Sequence, residues 1–267
     1  MPIKNVAFLQ PFIQPLESRR LLSLTPIGEE TTVPFPTEMS QFDMAVAGDG
    51  SFIVVADPIE QPGSPDLIAV RYSAAGQQIG APLTLDDRGF NVSASMDADG
   101  DAVVAYQKGS DGVYVVRVSR DGIATAPQRV GTAPANQVIY EAKGSMDRNG
   151  GYFVAWLQRP TDTSGGVPRE NLQFRAFDSN GVPRGEQFDT GGDSDLGSWD
   201  SLALAAHPDG SAAVVAFNTY NEGFSHIAVG RVSPTAWTEG FEGPSGTGRP
   251  FHADVAVHAD GSFVIGY

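Results

Sequence analysis

DGDAVVAY, residues 99–106, joins a turn dipeptide to an apolar run, and this pairing recurs along the chain. It also appears as DGSFIVVA (49–56), NGGYFVAW (149–156), DGSAAVVAF (209–217) and DGSFVIGY (260–267). The turn glycines stand at positions 50, 100, 150, 210 and 261, so they are 50, 50, 60 and 51 residues apart. Asp-Gly and Asn-Gly tolerate the positive φ angles of type I′ turns, so each pair predicts a tight hairpin.

A second marker follows in every complete repeat, as an alternating strand with an arginine near its end. The four arginines are Arg71, Arg117, Arg175 and Arg231. Short segments rich in small residues precede the turns, and a weaker segment such as QIGAPLTL (78–85) closes the repeat. Each unit therefore predicts four antiparallel strands, which we call a, b, c and d. Four-stranded units of this size are typical of β-propeller blades.

The fold predicted is an all-β propeller of about 50-residue blades. Residues 1–24 form a separate N-terminal segment, and the propeller repeats occupy 25–267. The predicted blades span residues 41–87, 88–137, 138–195 and 196–250, with a partial blade at 251–267. Small residues at one position of strand a predict that this strand crowds near the propeller axis; they are Ala45, Ser95, Ser145, Ala205 and Ala256. A pair of β-sandwiches is the alternative, but the same four-strand pattern recurs without linkers.

The two ends of the repeat array predict an incomplete ring. Residues 25–33 are similar to the d strand at 182–190, so the array begins inside one blade. The last repeat contains only strands a and b, and its b strand, SFVIGY, leaves an edge unpaired. We expect a fragment of a longer protein, folded as an open arc that is prone to associate, because exposed apolar edge strands recruit other chains. The alternative is a five-blade ring that the N-terminal segment helps to complete.

Composition excludes several function classes. The chain has 267 residues, 41% of them apolar, and a formal charge of −15. Such a surface repels phosphate backbones, so a nucleic acid partner is not expected. The absence of cysteine excludes disulfides and thiolate metal sites. No apolar run reaches the roughly 18 residues that a membrane-spanning helix needs.

The N-terminal segment carries a short motif. Residues 16–23 read LESRRLLS, which resembles the motif Leu-Glu-x-Arg-x-Leu-Leu-Ser near the start of many large bacterial extracellular proteins. The repeats over 41–267 resemble those of uncharacterised bacterial secreted propellers. Together these resemblances imply export to the cell surface or the extracellular space, and they bring no catalytic motif.

Two acidic stretches are candidates for calcium binding. The loop DTGGDSDLGSWD (189–200) offers four carboxylates, Asp189, Asp193, Asp195 and Asp200, which suit Ca²⁺ together with backbone carbonyls. The string Asp97-Ala98-Asp99-Gly100-Asp101 starts like an EF-hand, but Ala102 and Lys108 stand where that loop needs glycine and glutamate. Turn chemistry accounts for this second string.

The remaining residue patterns indicate structural roles rather than catalytic ones. One arginine per blade suggests a sialidase-like carboxylate clamp, but their place on strand c favours pairing with turn aspartates. Ser95-Met96-Asp97 resembles the Asp-box of sialidase-type propellers, except that its glycine comes one residue late. His207 and His258 occupy a variable turn position, so zinc is not expected. No nucleophile elbow, P-loop or zinc-protease motif is present.

The leading hypothesis is a non-catalytic extracellular or surface propeller that presents loops to a protein or glycan ligand. It needs no cofactor apart from Ca²⁺ at the 189–200 loop. The alternative is a sialidase-like glycoside hydrolase that uses Asp193 or Asp195 with a second carboxylate.

Overall fold

A computed structural model describes residues 33, 35, 39–58, 67–110, 112–162, 171–189, 201–221, 224–246 and 253–266. The chain divides into two compact units, Met1–Thr32 and Val33–Tyr267. All described residues belong to the second unit. Within them no helix is long and apolar enough to cross a membrane.

The second unit is built from four-stranded antiparallel sheets, each formed by consecutive strands. The first sheet contains β1 (Met39–Val46), β2 (Phe52–Pro58), β3 (Leu67–Tyr72) and β4 (Gln78–Asp86). The second contains β5 (Phe90–Met96), β6 (Ala102–Lys108), β7 (Gly112–Val118) and β8 (Gln128–Thr132). The third contains β9 (Gln137–Met146), β10 (Tyr152–Pro160), β11 (Asn171–Phe177) and β12 (Phe188–Asp189). The fourth contains β13 (Leu202–Ala206), β14 (Ala213–Asn221), β15 (Phe224–Ser233) and β16 (Ala236–Gly246).

A two-stranded hairpin, β17 (Asp254–Val257) and β18 (Phe263–Gly266), follows the fourth sheet. The order a-b-c-d within each sheet confirms the prediction of propeller blades. We number the four sheets as blades 1 to 4 and call β17–β18 the terminal hairpin. Among the described residues no closed ring forms: Phe42, Met44 and Val46 on strand a of blade 1 are exposed, as is Val264 of the terminal hairpin.

The hairpins between strands a and b differ in detail from the prediction. In blade 1 the backbone N–H of Ala47 donates to Ser51 O (2.8 Å) and that of Gly50 donates to Ala47 O (3.0 Å). Gly50 has a φ of 83°, whereas Asp49 does not have a positive φ. The loop is therefore a three-residue connection with one left-handed glycine, and the predicted two-residue type I′ turn is wrong. Such a turn needs positive φ at both central residues, which an aspartate adopts less readily than a glycine.

Strands b are buried on both faces, as their apolar runs predict. Every residue from 102 to 107 and from 152 to 158 is buried. The rings of Tyr106 and Trp156, which end the apolar runs, are fully buried, in agreement with a core-packing role. Four of the five core clusters join two neighbouring sheets, so stacking of blades supplies the burial that one sheet lacks. The fifth packs strands b and c of blade 1 against Val33 and Phe35. Each fully buried aliphatic side chain contributes about 1.5–3 kcal/mol to that packing.

The a strands of successive blades are joined by hydrogen bonds that the sequence did not predict. At each boundary, a side-chain oxygen on or beside the a strand of one blade accepts a backbone N–H from the a strand of the next blade. When the two a strands are aligned by register, the donor residue stands one position after the acceptor residue. The donors and acceptors are Ala94 N to Asp43 Oδ2 (2.9 Å), Gly144 N to Ser93 Oγ (3.3 Å), Met146 N to Ser95 Oγ (3.0 Å), Ala206 N to Ser145 Oγ (2.9 Å) and Ala253 N to Ser201 Oγ (2.5 Å). We call this contact the a-strand joint. It occurs at every blade boundary in the described residues, and it satisfies N–H groups that strand b leaves unpaired.

Candidate functional site

The strand order gives the blades two chemically different ends. Antiparallel order puts every a–b and c–d connection at one end, which we call the turn end. The b–c and d–a connections lie at the opposite end, which we call the loop end. The a–b connections at the turn end are alike, at five or six residues, whereas the b–c connections at the loop end vary from two residues (222–223) to ten (161–170). Variable loops on a rigid scaffold are where binding and catalysis concentrate.

At the turn end, aspartates stabilise their own hairpins. Asp97 Oδ1 accepts the backbone N–H groups of Asp99 (3.0 Å) and Asp101 (2.9 Å), and Asp97 itself is buried. Asp147 Oδ1 likewise accepts those of Asn149 (2.7 Å) and Gly151 (3.1 Å). Burial raises the pKa of Asp97. These bonds are Asx-turn geometry, which accounts for the metal-like string at 97–101 without a metal.

The repeated arginines join blades at the turn end through backbone carbonyls. Arg71 is buried and donates to Gly100 O (2.9 Å) and to Ser119 O, both in blade 2. Arg231 donates to Gly261 O (3.0 Å), the equivalent carbonyl in the terminal hairpin. The hydrogen bonds of Arg71 go to carbonyls, while the negative charges of the turn aspartates Asp101, Asp121 and Asp49 also favour its charged form. The predicted pairing with turn aspartates is therefore electrostatic, and the carbonyls supply the hydrogen-bond acceptors. The turn aspartates accept hydrogen bonds from the N–H groups of their own turns, so the turn carbonyls are left to accept hydrogen bonds from arginine.

The two turn histidines contact the aspartate of their own hairpin. His207 Nδ1 lies 2.6 Å from Asp209 Oδ1, and His258 Nδ1 lies 3.3 Å from Asp260 Oδ1. Hydrogen bonds from Ser211 and then from His207 lower the pKa of Asp209 to about 2. Each histidine therefore contacts the aspartate that stands two residues later in its own hairpin.

At the loop end, a buried charged group stands between blades 1 and 2. Lys108 Nζ donates to Asp86 Oδ1 (2.6 Å) and to Asp87 Oδ1 (2.5 Å), and the Tyr106 hydroxyl donates to Asp86 Oδ2 (2.5 Å). The Asp86 side chain is only 6% exposed, whereas that of Asp87 is 77% exposed. Lys108 also lies 5.9 Å from the centroid of the Tyr114 ring.

The ionisation of this group follows from burial and mutual contact. Burial, followed by the bond to Asp86, raises the pKa of Tyr106 far above its ordinary value. Burial alone would lower the pKa of Lys108, but its hydrogen bonds to Asp86 and Asp87 outweigh that effect and raise it. The hydrogen bond from Lys108 lowers the pKa of Asp87. Asp86 therefore has both oxygens occupied by donors and acts as an anchor, while Asp87 faces solvent.

The polar contacts continue into blade 3. Asn91 Nδ2 donates to Gln107 Oε1 (3.1 Å) and to Tyr140 O (2.7 Å), so it joins blade 2 to blade 3. Asn91 holds a φ of 53°, a left-handed value that asparagine tolerates better than most residues. The guanidinium of Arg159 lies 5.2 Å from the centroid of the Tyr140 ring.

We call the set Asp87, Lys108, Asn91, Tyr140 and Arg159 the loop-end strip. All of its members except Asp87 are partly buried, and together they span three blades. The strip offers carboxylate, ammonium, amide, guanidinium and aromatic groups in two sets of contacts, Asp87 with Lys108 and Asn91 with Tyr140 and Arg159.

Of the four predicted calcium ligands, the structure describes one, which lies at the loop end. Asp189 ends β12 and is exposed. Asp193, Asp195 and Asp200 lie outside the described residues. In the part of the chain that the structure describes, no three His, Cys, Asp or Glu side chains form a group able to hold a metal. The calcium loop and the carboxylate pair of a hydrolase therefore stay predictions.

Three solved structures share the fold. An ulvan lyase of polysaccharide lyase family 25 gives a TM-score of 0.54 at 11% identity, covering 75% of this chain and 56% of the lyase. The lyase bound to -[GlcA(1-4)Rha3S]- gives 0.53 at 10% identity with the same coverage. A protein of unknown function from Dyadobacter fermentans DSM 18053 gives 0.50 at 14% identity, covering 84% of this chain and 73% of that protein.

The chain thus spans little more than half the length of the lyases, and identities this low show the fold alone. No protein-family model matches the chain. No curated protein matches it either.

Sequence reasoning missed the loop-end strip. Its members carry no shared spacing, because they come from four strands and a connection in different blades. One signal was available: Lys108 is one of only three lysines, and it ends an apolar b strand that leads into a connection. Its partners could not be predicted, because the pair Asp86-Asp87 lies 21 residues or more away in the preceding blade.

Proposed function

We propose that the loop end of this propeller binds a polysaccharide, and that the loop-end strip forms part of the binding surface. The observation that carries the proposal is the strip itself. Planar amide, carboxylate and guanidinium groups hydrogen-bond sugar hydroxyls, and an adjacent tyrosine ring packs against the apolar face of a pyranose. The fold shared with a polysaccharide lyase supports a carbohydrate ligand over a protein one.

The preferred ligand is an uncharged polysaccharide. The formal charge of −15 works against polymers that carry uronate or sulfate groups, as it does against nucleic acid. The resemblance of residues 16–23 to an export motif supports a protein that meets such polymers at the cell surface or outside the cell.

Binding is tested by affinity electrophoresis and calorimetry with a β-glucan, a mannan and a uronate-containing polysaccharide. We expect a neutral polymer to bind and Arg159→Ala to weaken binding about tenfold, or ~1.4 kcal/mol. Arg120→Ala is the matched control, because Arg120 is exposed at the turn end. Equal affinity of Arg159→Ala and the parent chain, or no binding to any polymer, would refute the proposal.

The same samples decide between binding and turnover. The lyases with the shared fold are enzymes, so the expectation of a non-catalytic protein gains no support from them. Reducing-end release measures hydrolysis, and absorbance of an unsaturated uronate measures lyase chemistry. Turnover that is lost in an Asp193→Asn or Asp195→Asn variant would replace the binding role with the hydrolase alternative.

A further inference from the structure

A bulge on strand a of blade 3 turns two successive side chains toward blade 4. The pairing of β9 with β10 shifts there, so that Tyr140 is an extra residue between Ile139 and Glu141. Ile139 packs in the core between blades 2 and 3, whereas Tyr140 packs against the core between blades 3 and 4. Glu141 pairs with Leu157, which belongs to that second core, so Tyr140 and Glu141 face blade 4 together. Bulges commonly re-aim side chains in this way, and they are frequent beside active sites.

Lys143 lies beside Glu141 on the same face of the strand. Its partner on strand b, Ala155, also belongs to the core between blades 3 and 4. The ammonium nitrogen of Lys143 is 3.5 Å from Glu141 Oε1, and the two side chains are 32% and 15% exposed. Hydrogen bonds of this type usually span about 2.7–3.2 Å, so the pair is looser than a direct hydrogen bond. An acceptor and a donor therefore stand side by side, close enough to contact one ligand together.

Tyr140 and Arg159 border this pair. Arg159 stands two residues after Leu157 on strand b, and therefore on the same face, with its guanidinium 5.2 Å from the centroid of the Tyr140 ring. Both residues are partly buried. We call Tyr140, Glu141, Lys143 and Arg159 the blade 3 cluster. Tyr140 and Arg159 also belong to the loop-end strip, so the cluster extends the strip along strand a.

Lys143 interrupts the a-strand joint. Its register position holds Asp43 in blade 1 and Ser93 in blade 2. Asp43 Oδ2 and Ser93 Oγ each accept a backbone N–H of the following blade. An ammonium group has only donors, so Lys143 cannot form this bond to blade 4. Departures from an otherwise consistent pattern are expected at functional sites, where a side chain is kept for another purpose.

Adjacent groups of opposite charge suit two neighbouring sugar hydroxyls. One hydroxyl donates to the Glu141 carboxylate, and its neighbour accepts from the Lys143 ammonium. Hydrogen bonds to charged groups are stronger than those between neutral groups, so such a pair discriminates between sugars that have both hydroxyls and sugars that lack one. The two charges cancel, which suits an uncharged ring, and the Tyr140 ring beside them packs against the apolar face of a pyranose.

We propose that the blade 3 cluster is a subsite for a sugar ring with free hydroxyls on two adjacent carbons. This inference rests on the proposed binding of an uncharged polysaccharide at the loop end. A (1→4)-linked hexopyranose within a chain keeps two free hydroxyls on adjacent ring carbons, whereas a (1→3)-linked one keeps none. The subsite therefore selects (1→4)-linked polymers over (1→3)-linked ones.

The test is affinity electrophoresis and calorimetry of the full chain with two soluble uncharged polymers of similar length. One is a (1→4)-linked β-glucomannan and the other is a linear (1→3)-linked β-glucan. We expect the parent chain to bind the (1→4)-linked polymer about tenfold more tightly, because only that polymer engages both charged groups.

Two variants show whether the cluster causes this preference. Lys143→Ser gives blade 3 the residue type that blade 2 carries at the same register position, so it removes the ammonium group and supplies a joint acceptor. Glu141→Gln removes the carboxylate charge and keeps the shape. Each variant should bind the two polymers with affinities within about twofold of each other. Arg148→Ser is the matched control, because Arg148 is an exposed cation in the a–b turn of the same blade, and it should keep the preference of the parent chain.

The outcomes separate the subsite from the proposed function. Loss of the preference in both variants, with thermal unfolding and circular dichroism that show a retained fold, supports the subsite. Equal affinity of the parent chain for the two polymers, or a preference that survives in either variant, would overturn the subsite and leave the polysaccharide-binding role in place. No binding to any polymer would refute both.

Discussion

The turn end and the loop end of the blades use their polar groups in opposite ways. At the turn end, Asp97 and Asp147 cap their own hairpins, and Arg71 and Arg231 hold the turn of the following blade by its glycine carbonyl. At the loop end, Asp86 and its partners form an ion pair between side chains of two blades. The turn end thus depends on repeated backbone geometry, while the loop end depends on individual side chains. Function can change at the loop end without disturbing the repeat.

The largest effect is expected from the buried carboxylate at the loop end. Asp86→Ala leaves the Tyr106 hydroxyl buried without its acceptor and leaves Lys108 with one exposed partner. We expect the free energy of unfolding to fall by about 3 kcal/mol, since removal of one partner from a buried pair is costly. Urea unfolding monitored by tryptophan fluorescence measures it.

Asp87→Ala is the matched control for this prediction, because Asp87 contacts the same ammonium group but is 77% exposed. Its cost should stay within about 0.5 kcal/mol. Similar losses for the two variants would show that Asp86 is not the anchor.

A smaller effect is expected from the buried arginine at the turn end. Arg71→Ala leaves the carbonyls of Gly100 and Ser119 without their charged donor at the contact between blades 1 and 2. We expect a loss of about 2 kcal/mol, because hydrogen bonds to charged groups are worth about 1.5–3 kcal/mol. Arg71→Lys should recover only part of it, since an ammonium lacks the planar fork that reaches both carbonyls. Full recovery by lysine in urea unfolding would show that charge alone is needed.

The two ends also differ in how far the sequence predicts them. The turn glycines and apolar b strands predict four-stranded blades, because hairpin geometry and strand burial are local properties. The partner of Arg71 was not predictable, because a carbonyl is present at every residue and leaves no mark in the sequence. Ser95 and Ser145 were expected only to be small, yet their hydroxyls accept N–H groups 51 and 61 residues away. The loop-end strip depends entirely on such contacts between blades, so composition and spacing could not reveal it.

The smallest effect concerns proton binding at an exposed turn, where local geometry should decide the outcome. Ser262 donates to Asp260 Oδ1 through its hydroxyl (2.6 Å) and its backbone N–H (2.9 Å). These bonds, the hydroxyl first, lower the pKa of Asp260 from 3.8 to about 2. A pKa lowered in the folded state stabilises the fold fully above the ordinary value, and this contribution is lost as the pH falls from 3.8 through 2.

Ser262→Ala should therefore raise the pKa of Asp260 part of the way back to 3.8, because the backbone N–H still donates. Titration of the side-chain carboxyl carbon by NMR measures the change. Asp209, in the hairpin of blade 4, is the internal control and should keep its pKa of about 2 in the same sample. If Asp260 titrates at the same pH in the variant and the parent chain, the serine hydroxyl does not set its pKa. The turn end would then depend on backbone geometry alone, and its contrast with the side-chain contacts of the loop end would be sharper.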